Sequence, residues 1–336
     1  MPLSLVFIFP LITTTIWFLF FVSVVEQYIR KRKPHQLVWV IALILIMFTM
    51  GAEAFSYLMG MWDPWLYRLY YIFAAVQVSI LGAGVIYLFG SNNVINEQNS
   101  YKAFLLFGNV WLFFSFIFSF SSSVFVLILL PALFFDIFVI IQLLVRQMAP
   151  NQATRLNVTG LQFAHLYLIF TAYIFLIMTI IAWFSPVNIE VLSTGHEISG
   201  LGWQKDPMDP TEPRAVVRLF SPLFTVPGAI ALIGGGFFSY LTWQISLKRE
   251  TGSFTLGMGF FNIYISIGAL ILAVSGILSG FGIVGTLFLY ISDIFAVVLM
   301  YFGFLESDRI SLQKIFAVLT LGWFHTQEPN DVSFSK

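Results

Sequence analysis

Nine long apolar stretches, roughly 3–25, 37–60, 67–90, 102–121, 122–145, 158–184, 217–244, 254–279 and 282–305, occupy most of the chain. A helix crosses the hydrocarbon with about 20 apolar residues. Each stretch is long enough, and backbone groups inside a bilayer must be satisfied within the segment. The expected fold is therefore an all-α polytopic membrane helix bundle over 1–305, followed by a tail over 306–336. Only 10% of the 336 residues are charged, against roughly 25% in a soluble domain. The first stretch has no basic leader and no A-x-A-like site, so it reads as a retained span. Two hairpins are tight, at Ser121-Ser122-Ser123 and at Gly280-Phe281-Gly282.

Lys and Arg positions set an expected orientation. With the N-terminus outside and the C-terminus inside, 12 of the 16 fall in cytoplasmic loops, among them Arg30, Lys31, Arg32, Lys33, Lys102, Arg146, Arg155, Lys248 and Arg249. Arg68, Lys205, Arg214 and Arg218 fall outside. The positive-inside rule favours this N-out/C-in arrangement. The longest polar segment, 185–216, is then an outer loop, with prolines at 207, 210 and 213 that disfavour helix. It is the expected docking site for protein partners. The run Ile315 to Phe324 is too short to span and fits an interfacial position.

Four ionisable residues lie well inside the stretches: Glu53, Asp136, His165 and Asp293. Such groups are expensive in hydrocarbon and need partners or a function. Asp136, His165 and Asn262 are expected within roughly 5 Å of one layer in the inner half, at about 1.5 Å per residue. Asp293 is expected near the midplane and Glu53 in the outer third, with Gln77 toward the outer entry. A carboxylate and an imidazole on consecutive spans suit a proton relay or an ion site. Gln162 shares a helical face with His165, and Pro131 can free a carbonyl for an ion or water. The competing reading is a set of packing contacts. In that reading Tyr290 serves Asp293, and Tyr57 serves Glu53. The seventh stretch carries Pro222, Pro227-Gly228 and Gly234-Gly235-Gly236, which suits either a broken helix at a substrate site or a kinked, close-packed one.

A pattern beginning Arg68-Leu69-Tyr70 recurs at Arg218-Leu219-Phe220, offset by 150 residues through Gly84 and Gly234. It suggests parallel repeats of four spans with a ninth added. Two groups of residues carry a resemblance. One is Tyr67-Arg68-Leu69-Tyr70-Tyr71 with Leu81-Gly82-Ala83-Gly84 and Tyr87-Leu88. The other is Arg218, Ser221-Pro222 and Thr225-Val226-Pro227-Gly228-Ala229 with Gly303-Phe304-Leu305. Together they resemble an uncharacterised family of multi-pass integral membrane proteins of bacteria and archaea. The resemblance implies a prokaryotic cell membrane and transfers no site residue.

Much chemistry is excluded. Zero net charge points to no nucleic acid. Without cysteine there is no disulfide, thiolate metal site or Cys nucleophile. Gly200 stands where a zincin motif starting at His196-Glu197 needs histidine. No P-loop and no G-x-S-x-G occur. No cofactor, metal or catalytic residue is expected, and the reading leans away from an enzyme. Two functions remain. One is a secondary transporter or permease binding a small solute or proton through Asp136, His165, Asn262 and Asp293, with Glu53 and Gln77 at the entry. The other is a non-catalytic membrane subunit or sensor that docks partner proteins. A shared cavity for Asp136, His165 and Asp293 favours transport; separate helix contacts or lipid-side positions favour the subunit.

Overall fold

The computed structural model describes residues 8–97, 99–148, 157–193, 201–203, 216–251, 260–280 and 286–308. Every regular element among them is helical. The long helices are α1 (Ile8–Lys31), α2 (Pro34–Met59), α3 (Pro64–Ser91), α4 (Ser100–Ser119), α5 (Val124–Met148) and α6 (Gly160–Phe184). A short α7 (Ile189–Leu192) follows. Then α8 (Ser221–Ala229) runs through a π-helical turn, Ile230–Gly234, into α9 (Gly235–Thr251). The last two are α10 (Phe260–Gly280) and α11 (Thr286–Asp308). Of the expected tail, 306–336, the first three residues continue α11 to Asp308, and 309–336 lie outside the described residues, as do 194–200 and 204–215 of the outer loop.

Eight segments among the described residues are long and apolar enough to cross a membrane: α1 to α6, the composite Val216–Thr242, and α11. The stretch expected at 254–279 is seen as α10, whose apolar part, Asn262–Gly276, is shorter than the others. Residues 254–259 lie outside the described residues.

Local chemistry explains the boundaries. Gly60 ends α2 in the left-handed region at φ 69°, which glycine adopts without a Cβ penalty. Asp63 caps α3 by accepting from the Trp65 and Leu66 amides. Thr159 and Gln162 form a reciprocal capping box that starts α6. Gln162 is thereby committed to the helix end. The serine turn separates α4 from α5 as expected.

Two helices occupy the centre. α3 is the most buried span, and it packs against α2, α6 and α8. It meets α8 at paired glycines. A Cβ on Gly82 would lie 2.8 Å from the Gly228 backbone, and one on Gly228 would overlap the Val78 carbonyl. Without side chains at either position the two backbones can approach, as small residues permit in membranes. On one side of this crossing stand α4, α5 and α6, with an aromatic core around Phe104, Phe107, Trp111, Phe163 and Tyr167. On the other side stand α1, α2, α10 and α11, packed around Trp17, Phe20, Leu43 and Met300.

Both interior prolines leave a carbonyl without its helical donor, and a neighbouring helix supplies one. Pro227 cannot donate to Leu223, and the Trp111 indole N–H on α4 donates to that carbonyl at 3.0 Å. Pro131 cannot donate to Leu127, and the Tyr173 hydroxyl on α6 donates there at 2.9 Å. An unpaired carbonyl in hydrocarbon costs several kcal/mol, so each proline pins a helix pair. The carbonyl that Pro131 frees is held by Tyr173, not left for an ion. In the π-helical turn, the Ile233 carbonyl accepts the Ser266 hydroxyl of α10 at 3.3 Å.

The expected repeat does not extend to packing. α1 packs on α2 and α2 on α3, yet the equivalent pairs, α5 with α6 and α6 with α8, form no comparable interfaces among the described residues.

Candidate functional site

Asp136, His165 and Asn262, expected in one inner layer, have separate partners. Asp136 is half-buried on α5, and its Oδ1 accepts from the Asn109 side-chain amide of α4 at 3.2 Å. Asn109 is exposed, and the same amide nitrogen also donates to the Leu105 carbonyl at 2.7 Å. His165 is exposed on α6; its Nδ1 lies 2.7 Å from the Leu161 carbonyl, and its ring stands edge-on to Tyr87. No hydrogen bond or ion pair between described residues joins His165 to Asp136. Asn262 donates to Ser239 Oγ at 2.9 Å, tying α10 to α9. Gln77 accepts from Thr49 Oγ1 at 3.1 Å, tying α3 to α2. The expected inner layer is therefore three separate helix contacts.

Glu53 and Asp293, which the sequence placed at different depths, come together. Glu53 is six residues from the end of α2, and Asp293 is seven residues from the start of α11. Both lie about 10 Å inside the same end of the bundle. Glu53 is 2% exposed, and its Oε1 has no hydrogen-bond partner. Its carboxyl also hydrogen-bonds to Tyr290 of α11, and Asp293 stands within reach of its charge. Tyr290 in turn donates to the Tyr57 hydroxyl at 2.8 Å. Phe9 of α1 stacks flat against the Tyr290 ring, 6.5 Å between centroids. Tyr290, three residues before Asp293, was paired with it from the sequence; instead it bridges α11 to Glu53 and Tyr57.

The described parts of the outer loop fold back onto the bundle. The Trp62 amide donates to the Leu192 carbonyl at 2.8 Å, and Asn188 to the Gly202 carbonyl at 2.8 Å. Trp203 packs against Tyr67 and Tyr71. Trp62 and Trp203 are 1% and 3% exposed, with unpartnered indole nitrogens. An interfacial belt thus accounts for exposed Trp65 but not for Trp62, which is core. Arg68 closes this end by donating to the Ala182 and Ser185 carbonyls at the end of α6, where helix termini attract cations.

Among the described residues no group of three His, Asp or Glu side chains is placed to hold a metal. The chain matches no family profile, no curated protein and no solved structure.

Proposed function

We propose that this multi-pass membrane protein is a subunit of a membrane assembly, and that its α4–α5 hairpin docks a transmembrane helix of a partner. One observation carries the reading. Asp136 lies twelve residues from each end of α5, which puts it at mid-membrane, about 18 Å from either end. It is nonetheless half-exposed on the least buried span, 22% buried. Ionisable residues inside membranes almost always face a bundle interior or a water-filled cavity. A polar pair facing outward at that depth is incomplete in the single chain.

The pair also states what would complete it. Nδ2 of Asn109 is engaged with Leu105 and Asp136. With Asp136 ionised, what the pair presents outward is acceptor oxygen. A partner helix carrying a lysine, arginine or amide donor at the midplane complements it; an identical acceptor pair on a second copy does not. Helix–helix hydrogen bonds in membranes supply this kind of specificity.

The test places a photo-crosslinker at Leu133 or Ile140, one turn either side of Asp136, in the native membrane. A defined heteromeric adduct that disappears in Asp136→Leu is expected. The purified Asp136→Leu chain should be more stable than the parent by about 1–2 kcal/mol. This is the insertion cost of a mid-membrane acid less one hydrogen bond. Loss of stability, with crosslinking unchanged, refutes the proposal. A homodimeric adduct replaces the donor helix with a second copy.

Transport coupled to a proton stands as a second reading, favoured by buried Glu53 with Asp293 beside it rather than by Asp136 and His165.

A further inference from the structure

We propose that Glu53, Tyr290 and Tyr57 form a proton wire linking a buried carboxyl group, that of Glu53, to the end of the bundle at the α2–α3 turn. The inference is independent of the docking face, which lies on the other side of the central crossing.

Three observations carry it. First, the two acids sit on different helices at one depth, within each other's field. Second, Glu53 is 2% exposed and its Oε1 has no partner. Packing alone leaves this unexplained, because a buried polar atom without a partner is costly. A bound proton removes the charge that such burial penalises most. Third, Tyr290 joins Glu53 to Tyr57, and Tyr57 is half-buried, two residues from the end of α2. The chain of hydroxyls thus leads from the enclosed acid toward the surface.

The proton count is balanced. Tyr290 has one hydroxyl proton and donates it to Tyr57. The same proton can serve either contact: turned toward Glu53 it holds a carboxylate, and turned toward Tyr57 it leaves the Tyr290 oxygen open to the Glu53 proton. In a concerted shift the Glu53 proton passes to the Tyr290 oxygen. The Tyr290 proton passes to the Tyr57 oxygen, and the Tyr57 proton leaves to water. Both tyrosines end with one proton each, Glu53 becomes a carboxylate, and nothing is oxidised or reduced. The reverse sequence loads the site. Chains of hydrogen bonds polarise one another in a low dielectric, which favours this coupled motion.

Among the described residues, the neighbouring helices add uncharged groups around Tyr290 and Thr49. α1 contributes the Phe9 ring, and Thr13, which bonds its own backbone. α3 contributes Gln77, held by Thr49. The titratable neighbours of Glu53 among the described residues are Tyr57, Tyr290 and Asp293.

Infrared difference spectroscopy on the full chain in lipid nanodiscs tests this without knowledge of a substrate. A carbonyl band of a protonated carboxylic acid should be present, disappear in Glu53→Gln, and change amplitude with pH. On transfer to heavy water, Tyr57→Phe should keep the band but slow its hydrogen–deuterium exchange by an order of magnitude, and Tyr290→Phe should do the same. A purely structural role for these tyrosines would lower thermal stability and leave the exchange rate alone. Unchanged exchange in both variants overturns the wire. A band that responds to sodium at constant pH overturns the proton in favour of a metal cation.

Discussion

At the scale of single residues, the proline-freed carbonyls give a sharp prediction. Trp111→Phe keeps the aromatic bulk but leaves the Leu223 carbonyl bare, and should cost about 1 kcal/mol. Pro227→Ala restores the helical donor. In the double variant the cost of Trp111→Phe should therefore largely vanish. Thermal or denaturant unfolding of the four proteins measures the coupling, and additive effects would dissolve the pairing. Pro131 and Pro227 were legible in the sequence as helix perturbations. Their recipients, Tyr173 and Trp111, were not, because a sequence gives position along one helix and not which neighbour lies across from it. The same limit explains Glu53. Tyr57, four residues on, was a visible partner, but Tyr290 lies 233 positions away.

At the scale of elements, the α3–α8 crossing depends on which glycines are close-packed. Gly228→Ala should destabilise the protein by at least about 2 kcal/mol, because its Cβ would overlap the Val78 carbonyl. Gly234→Ala, whose Cβ meets nothing within 4 Å, should be neutral or stabilising by up to about 1 kcal/mol, the helix-propensity gain over glycine. Equal effects measured by thermal unfolding in detergent would contradict the crossing. The glycine triplet of the seventh stretch is therefore not one feature. Gly235 lies against Val85 and Gly236 against Ser266, while Gly234 faces open space. From the sequence the three looked equivalent, because azimuth around a helix decides which glycine is needed and spacing alone does not set azimuth in a helix interrupted by a π-helical turn.

At the scale of the whole molecule, the apolar stretches were legible because hydrocarbon thickness is a length that any chain must match. Orientation follows from charge counting and is open to a direct measurement. The chain contains no cysteine, so single-cysteine labelling needs no background removal. Met61→Cys, in the exposed α2–α3 turn, should react with an impermeant maleimide from outside intact cells. Asn93→Cys, in the turn after α3, should react only after the membrane is opened. The reverse pattern would invert the N-out/C-in proposal.

The Tyr290 contact has a consequence for the order in which the protein is made. Glu53 belongs to α2, and the hydroxyl that holds it belongs to α11, which leaves the ribosome much later. Until then the acid lacks the tyrosine it is built to meet. Arrival of α11 supplies that tyrosine, brings Asp293 alongside, and sets Tyr290 against Phe9 of α1. Assembly of this end of the bundle thus waits on α11, and a chain released before Thr286 would hold Glu53 without its hydroxyl partner.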